Sequence, residues 1–132
     1  MQVLHLTGIV EDGSRRSSTI PADMRKVVHA TRGASLSIFV QVLLPSGAAP
    51  DQAGATLVLS VQRVPWPNAP AIQVAGVLQP DGTYLCAITP AMTRDLAVGR
   101  YLYDVWYLQG ADRNQVVPVS AFFIAPTVTP VP

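Results

Sequence analysis

Two histidines, one cysteine and eight acidic side chains are the groups in this chain able to ligate a metal or move a proton. Cys86 with His5 or His29 would make a nucleophile and its base if folding joined them. However, Cys86 alternates with Tyr84 and Ile88, which is the pattern of a thiol turned into a core and chemically inert there. The two histidines fall in separate candidate strands, and one cysteine gives no His/Cys spacing of the kind a zinc site needs. Asp12, Asp51, Asp81 and Asp112 lie in turn-rich stretches, where aspartate bonds nearby backbone. Glu11 is the only glutamate, so a carboxylate pair for glycoside hydrolysis is missing. No glycine-rich phosphate loop follows a strand, and no GxSxG motif occurs. The sequence therefore predicts no enzyme, no metal and no cofactor. Asp104 is set apart from the other carboxylates by lying within an apolar strand. Arg100 or Arg63 is its expected partner, unless it is an edge charge that blocks wrong strand pairing.

With chemistry set aside, composition points toward binding. The 132 residues fit one domain with a real core. Hydrophobic residues make up 49% and charged residues 13%, against a usual charged share of about 25%. A net charge of +1 creates no broad field for nucleic acid or an acidic membrane. No apolar run approaches the roughly 18 residues of a membrane span, and "MQVLHLTGIVEDG" lacks the pattern of a secretory signal. A soluble protein made in a cytoplasm is expected, with no disulfide within the chain.

Twelve prolines and nine glycines break the chain into short alternating runs. "SLSIFVQVLL", "ATLVLSVQRV", "AIQVAGVLQ", "GTYLCAITP", "GRYLYDVWYL" and "VVPVSAFFIA" read as strands, separated by "PSGAAPDQAG", "VPWPNAP", "QPDG" and "QGADRNQ". This spacing predicts an all-β fold, an antiparallel β-sandwich. One helical turn is expected near residues 90–97, with Thr89 as N-cap, Pro90 at the first position and Gly99 ending it. Residues 1–27 form an N-terminal strand or extended arm, 28–125 the sandwich and 126–132 an extended proline-rich tail. Tyr84 and Tyr101 each follow a strand-opening glycine by two residues, and either suits a tyrosine bonded back to a corner's backbone.

The run "GRYLYDVWYLQG" has two apolar faces. Tyr101, Tyr103, Val105 and Tyr107 suit the core, which leaves Leu102, Trp106 and Leu108 pointing outward. Cover for that face would come from the N-terminal arm, from a second copy, or from a larger assembly. Trp66, held between prolines in "VPWPNAP", is a second candidate contact, for a protein or for a sugar ring. Arg15 and Arg16 in the polar loop "GSRRSS" are candidates for ion pairs with a partner protein.

From about Val28 to Ile124 the layout resembles the small immunoglobulin-like domains of tailed-phage virion proteins. The resemblance is carried by "RGASLSIFVQV", "AGATLVLSVQR", "DGTYLCAITPAMTRDLAVGRYLYDVWYL" and "PVSAFFIAPTVT". It implies an immunoglobulin-like sandwich and a non-enzymatic virion subunit, assembled in the host cytoplasm. A capsid decoration or cement protein binding across subunit junctions is the first expectation. A tail, baseplate, neck or fibre-attachment subunit is the second. The partners implied are the major capsid protein or a tail or baseplate protein, with self-association into a homo-oligomer and no nucleic acid or membrane. From a different class, a carbohydrate-binding module using Trp66 and exposed tyrosines is the remaining alternative.

Overall fold

A computed structural model describes residues 2–10, 26–44, 46–63 and 69–127. Nine strands and one helical turn follow in order: β1 (Gln2–Ile9), β2 (Val28–Thr31), β3 (Leu36–Leu43), β4 (Ala55–Gln62), β5 (Ile72–Ala75), β6 (Val77–Leu78), β7 (Tyr84–Ile88), α1 (Pro90–Arg94), β8 (Gly99–Gln109) and β9 (Asp112–Ala125). They form a four-stranded sheet, β1-β3-β7-β6, and a five-stranded sheet, β2-β9-β8-β4-β5.

The expected all-β sandwich is present, and strict alternation builds its core. Leu36, Ile38, Val40 and Val42 of β3 face Leu57, Leu59 and Val61 of β4 and the tyrosine row of β8, all of them buried. Edge-to-face pairs add to this packing, with ring centroids 6.0 Å apart for Tyr84 and Tyr107 and 6.1 Å for Tyr103 and Phe122. Cys86 is fully enclosed, and burial pushes its thiol up to about 12, so it is protonated and unreactive at neutral pH. Burial likewise raises the phenol of Tyr103, whose hydroxyl donates to the Lys26 carbonyl.

The margins of the sandwich differ from a wholly antiparallel arrangement. β1 runs parallel to β3, and β2 runs parallel to β9, so both sheets are mixed. The N-terminal stretch is thus an integral strand: Leu6 enters the core, and β1 passes close to β9. That approach requires Gly8, where a Cβ would sit 2.8 Å from the Val116 Cβ and 3.0 Å from its carbonyl oxygen. On the opposite margin the run "AIQVAGVLQ" changes sheets at Gly76. β5 before it pairs with β4, and β6 after it pairs with β7. The Gly76 N–H donates to the Leu57 carbonyl at 2.7 Å, and a Cβ there would lie 2.9 Å from Leu57 Cδ2.

Two local expectations change. The helical turn closes at Asp95 rather than Gly99, which instead opens β8, and the Thr89 side chain makes no capping bond. The stretch "QGADRNQ" holds only a two-residue turn at Gly110 and Ala111, because β8 and β9 run to Gln109 and from Asp112. Of the two candidate corner tyrosines, Tyr101 makes the bond, donating to the Ala97 carbonyl at 2.8 Å. The Tyr84 hydroxyl is buried with no hydrogen-bond partner among the described residues.

Three stability measurements follow. Gly8→Ala should lower stability in urea unfolding by about 1–3 kcal/mol, since the backbone of β9 leaves the added methyl no room. Tyr101→Phe should cost about 0.5–1.5 kcal/mol. Tyr84→Phe should be neutral within about 0.5 kcal/mol, because the Tyr84 hydroxyl lies beside that of Tyr107 without completing a hydrogen bond.

Candidate functional site

β8 is a central strand, paired with β4 on one side and β9 on the other. Its inward row is closed in the core, so Leu102, Asp104, Trp106 and Leu108 share the outer face of the five-stranded sheet. Each is half-buried. Across the ladder, Asp104 pairs with Ser60 and Trp106 with Val58. On the other side Trp106 pairs with Gln115 and Leu108 with Arg113. All of these but Gln115, together with Pro70, Gln73 and Val119, line an open groove of about 350 Å³.

A fold irregularity gives the groove its shape. The β8–β9 register slips between Tyr103 and Val105 and again between Val105 and Trp106. β9 therefore carries one extra residue opposite Asp104, where Pro118 and Val119 face a single position, and a second, Val116, between the pairs of Val105 and Trp106. Pro118 sits in this bulge, where a missing N–H breaks no ladder bond. Val119 beside it is 46% exposed, an apolar side chain turned outward at the groove wall.

Asp104 pairs with neither Arg100 nor Arg63. Its Oδ2 accepts a hydrogen bond from Trp106 Nε1 at 2.9 Å and another from Gln115 Nε2 at 3.0 Å. The edge-charge reading fails as well, because β8 is interior to the sheet. The indole reaches back two residues along one face and meets the carboxylate first. Arg63 is drawn to the ring of Tyr101, with its guanidinium carbon 5.4 Å from the centroid. Arg113 lies over the Trp106 ring at 5.9 Å. At the far side, Gln73 donates to Ser60 Oγ at 3.2 Å. The result is an apolar floor with a fixed negative centre and a positive flank.

Sequence reasoning found Leu102, Trp106 and Leu108, and the structure brings these three together with Asp104. It missed Arg113, Gln115 and Val119. Proline inside "VVPVSAFFIA" is the signal for the bulge, and Val119 next to it faces outward in phase with Ala121 and Phe123. β1 belongs to the four-stranded sheet, so Gln2–Ile9 does not cover this face. Arg15, Arg16 and Trp66 lie outside the described residues, as does the tail beyond Thr127. Among the described residues no three His, Cys, Asp or Glu side chains come together to hold a metal. No helix among them is long and apolar enough to cross a membrane.

No protein-family model matches the chain, and no curated protein sequence matches it. In three dimensions the chain is similar to the N-terminal domain of phage TP901-1 ORF48, with a TM-score of 0.52 and 13% identity. The match covers 96% of this chain and 98% of that one, and it shows a shared fold. A cysteine protease inhibitor of Entamoeba histolytica, EhICP2, aligns over 95% of this chain and 97% of its own at 8% identity. Its TM-score of 0.37 is too low to carry an argument.

The hydrogen bonds on Asp104 yield a test within the isolated domain. Asp104→Ala strips the acceptor from two donors and should destabilise the fold by about 1.5–3 kcal/mol in urea unfolding. Asp104→Asn keeps an acceptor oxygen and should recover at least half of that loss.

Proposed function

We propose that the chain is a non-enzymatic structural subunit of a phage virion, which adheres to neighbouring virion proteins through the outer face of β4, β8 and β9. The observation that carries this reading is the likeness in fold to a domain of a phage protein over nearly the full length of both chains. The apolar outer face supports it, since Leu102, Trp106, Leu108 and Val119 together fit an adhesive surface better than a solvated one. The resemblance of the sequence to immunoglobulin-like virion domains points the same way. Within this role, decoration of the capsid is the first reading: a small, compact subunit seated on capsid-protein junctions in a particle assembled in the host cytoplasm. Attachment to a tail, baseplate, neck or fibre is the second, and it is equally compatible with a likeness to one domain of a phage protein.

Co-sedimentation separates these readings. Purified protein mixed with DNA-free heads lacking it should pellet with them saturably. The Leu102→Ser/Leu108→Ser variant should bind at least about tenfold more weakly, the scale of losing central interface contacts. Pelleting with isolated tails instead of heads would select the attachment reading. Binding to neither would overturn the virion role.

A further inference from the structure

We infer that the outer face of the five-stranded sheet closes on a second copy of the same chain, with Trp106 at a two-fold axis and Asp104 of each copy beside Arg113 of the other. The inference deepens the reading of this face as a binding surface by naming the neighbour that takes it, a second copy of the chain. The Leu102→Ser/Leu108→Ser variant then binds particles more weakly through loss of the paired subunit. The inference does not rest on which part of a particle the protein occupies.

The charges on the face are arranged to complement themselves. Asp104 lies on β8 and Arg113 lies on β9 opposite Leu108, so the two charges sit on either side of the level of Trp106. Four residues of strand separate the level of Asp104 from that of Leu108, about 13 Å. Consider a two-fold axis lying in the interface and crossing β8 at Trp106. It stacks β8 on β8 in opposite directions and exchanges the level of residue 104 with that of residue 108. Each carboxylate then lies next to the Arg113 of the other copy, and the two indoles meet at the centre. An isologous contact demands this property, that a patch fit its own rotated image. A rotation about an axis parallel to the strands would bring Asp104 onto Asp104, so charge alone selects the first arrangement.

The dimensions and the chemistry agree with this arrangement. At about 3.3 Å per residue and 4.8 Å per strand, β8 with its two neighbours spans roughly 35 by 14 Å, a flat area of about 500 Å² to which the relief of the side chains and the flanking β2 and β5 add. A standard interface buries about 800 Å² per partner. Trp and Arg are among the residue types that most often carry the binding energy of an interface. Asp104 has no cation within ion-pair reach among the described residues, only two neutral donors on Oδ2. Arg113 is exposed, and its contact with the Trp106 ring holds it at the edge of the face, where it can reach a second molecule.

Light scattering of the full chain across a concentration series, read with charge-exchange variants, tests the inference. The wild-type mass should be that of a dimer, and Arg113→Asp alone should raise its dissociation constant at least about tenfold. Asp104→Arg alone should do the same, and Asp104→Arg with Arg113→Asp should restore the affinity to within about threefold, since the swap rebuilds both pairs. Thermal unfolding of each variant shows whether it folds. If Asp104→Arg does not, the exposed site carries the test, with Arg113→Lys keeping the dimer and Arg113→Asp losing it. A monomer at every concentration would overturn the inference, as would a dimer indifferent to Arg113→Asp and Trp106→Ala. A monomer that still pelleted with heads would overturn the dimer alone and leave the virion role standing.

Discussion

A strand with period-two alternation cannot bury both of its faces in one sandwich. In β8 the inward row of Tyr101, Tyr103, Val105 and Tyr107 is almost wholly buried, and it contacts the opposite sheet through rings as well as aliphatic groups. A one-residue slip would turn that row to solvent, so the register is fixed by the core. Given that register, Leu102, Trp106 and Leu108 must face outward. Burying such side chains fully is worth roughly 1.5–3 kcal/mol each. They are half-buried already, so a covering partner gains only a share of that, although over several residues at once. The low overall charge leaves little on the surface to oppose such contact.

The bulge in β9 and the Asp104 network turn this face from a merely apolar surface into a shaped one. Without its two extra residues β9 would run flat beside β8, and Gln115 would not come level with Trp106. With them, a carboxylate is held at the centre of the groove by the indole and the Gln115 amide. Fixing the carboxylate on Oδ2 also orients Trp106, so the largest side chain on the face is held in place before any partner arrives. Preorganisation of this kind lowers the cost of ordering side chains on association.

Much of this was legible in the residues. The alternation in β3, β4, β7 and β8 gave both the strands and their inner faces, and it marked Leu102, Trp106 and Leu108 as outward. Pairing partners were harder to see. That β1 joins β3 in parallel, and β2 joins β9, depends on contacts remote in sequence, and local pattern does not encode them. Gly76 is a readable break, because glycine inside a strand often marks a switch or a close approach and the alternation of Ile72 and Val74 ends at it, with Val77 and Leu78 adjacent beyond. The environment of Asp104 was misread for a related reason. The sequence offers Asp104 an arginine partner or an edge position, whereas β8 is interior to its sheet, Arg63 lies over the Tyr101 ring and Trp106 is simply nearer along the strand. Arg113 and Gln115 were hidden in a stretch whose composition looks like a turn, although most of it is strand.

The central claim is that the outer face of β4, β8 and β9 is covered when the protein works. Acrylamide quenching of Trp106 measures that cover directly. In a Trp66→Phe chain Trp106 is the sole tryptophan, so its quenching constant can be compared between dilute protein and protein assembled at high concentration or on particles. A severalfold fall on assembly, absent from the Leu102→Ser/Leu108→Ser variant, is the result the account predicts. An unchanged quenching constant in an assembly shown to have formed would contradict it, and would place the contact elsewhere on the molecule.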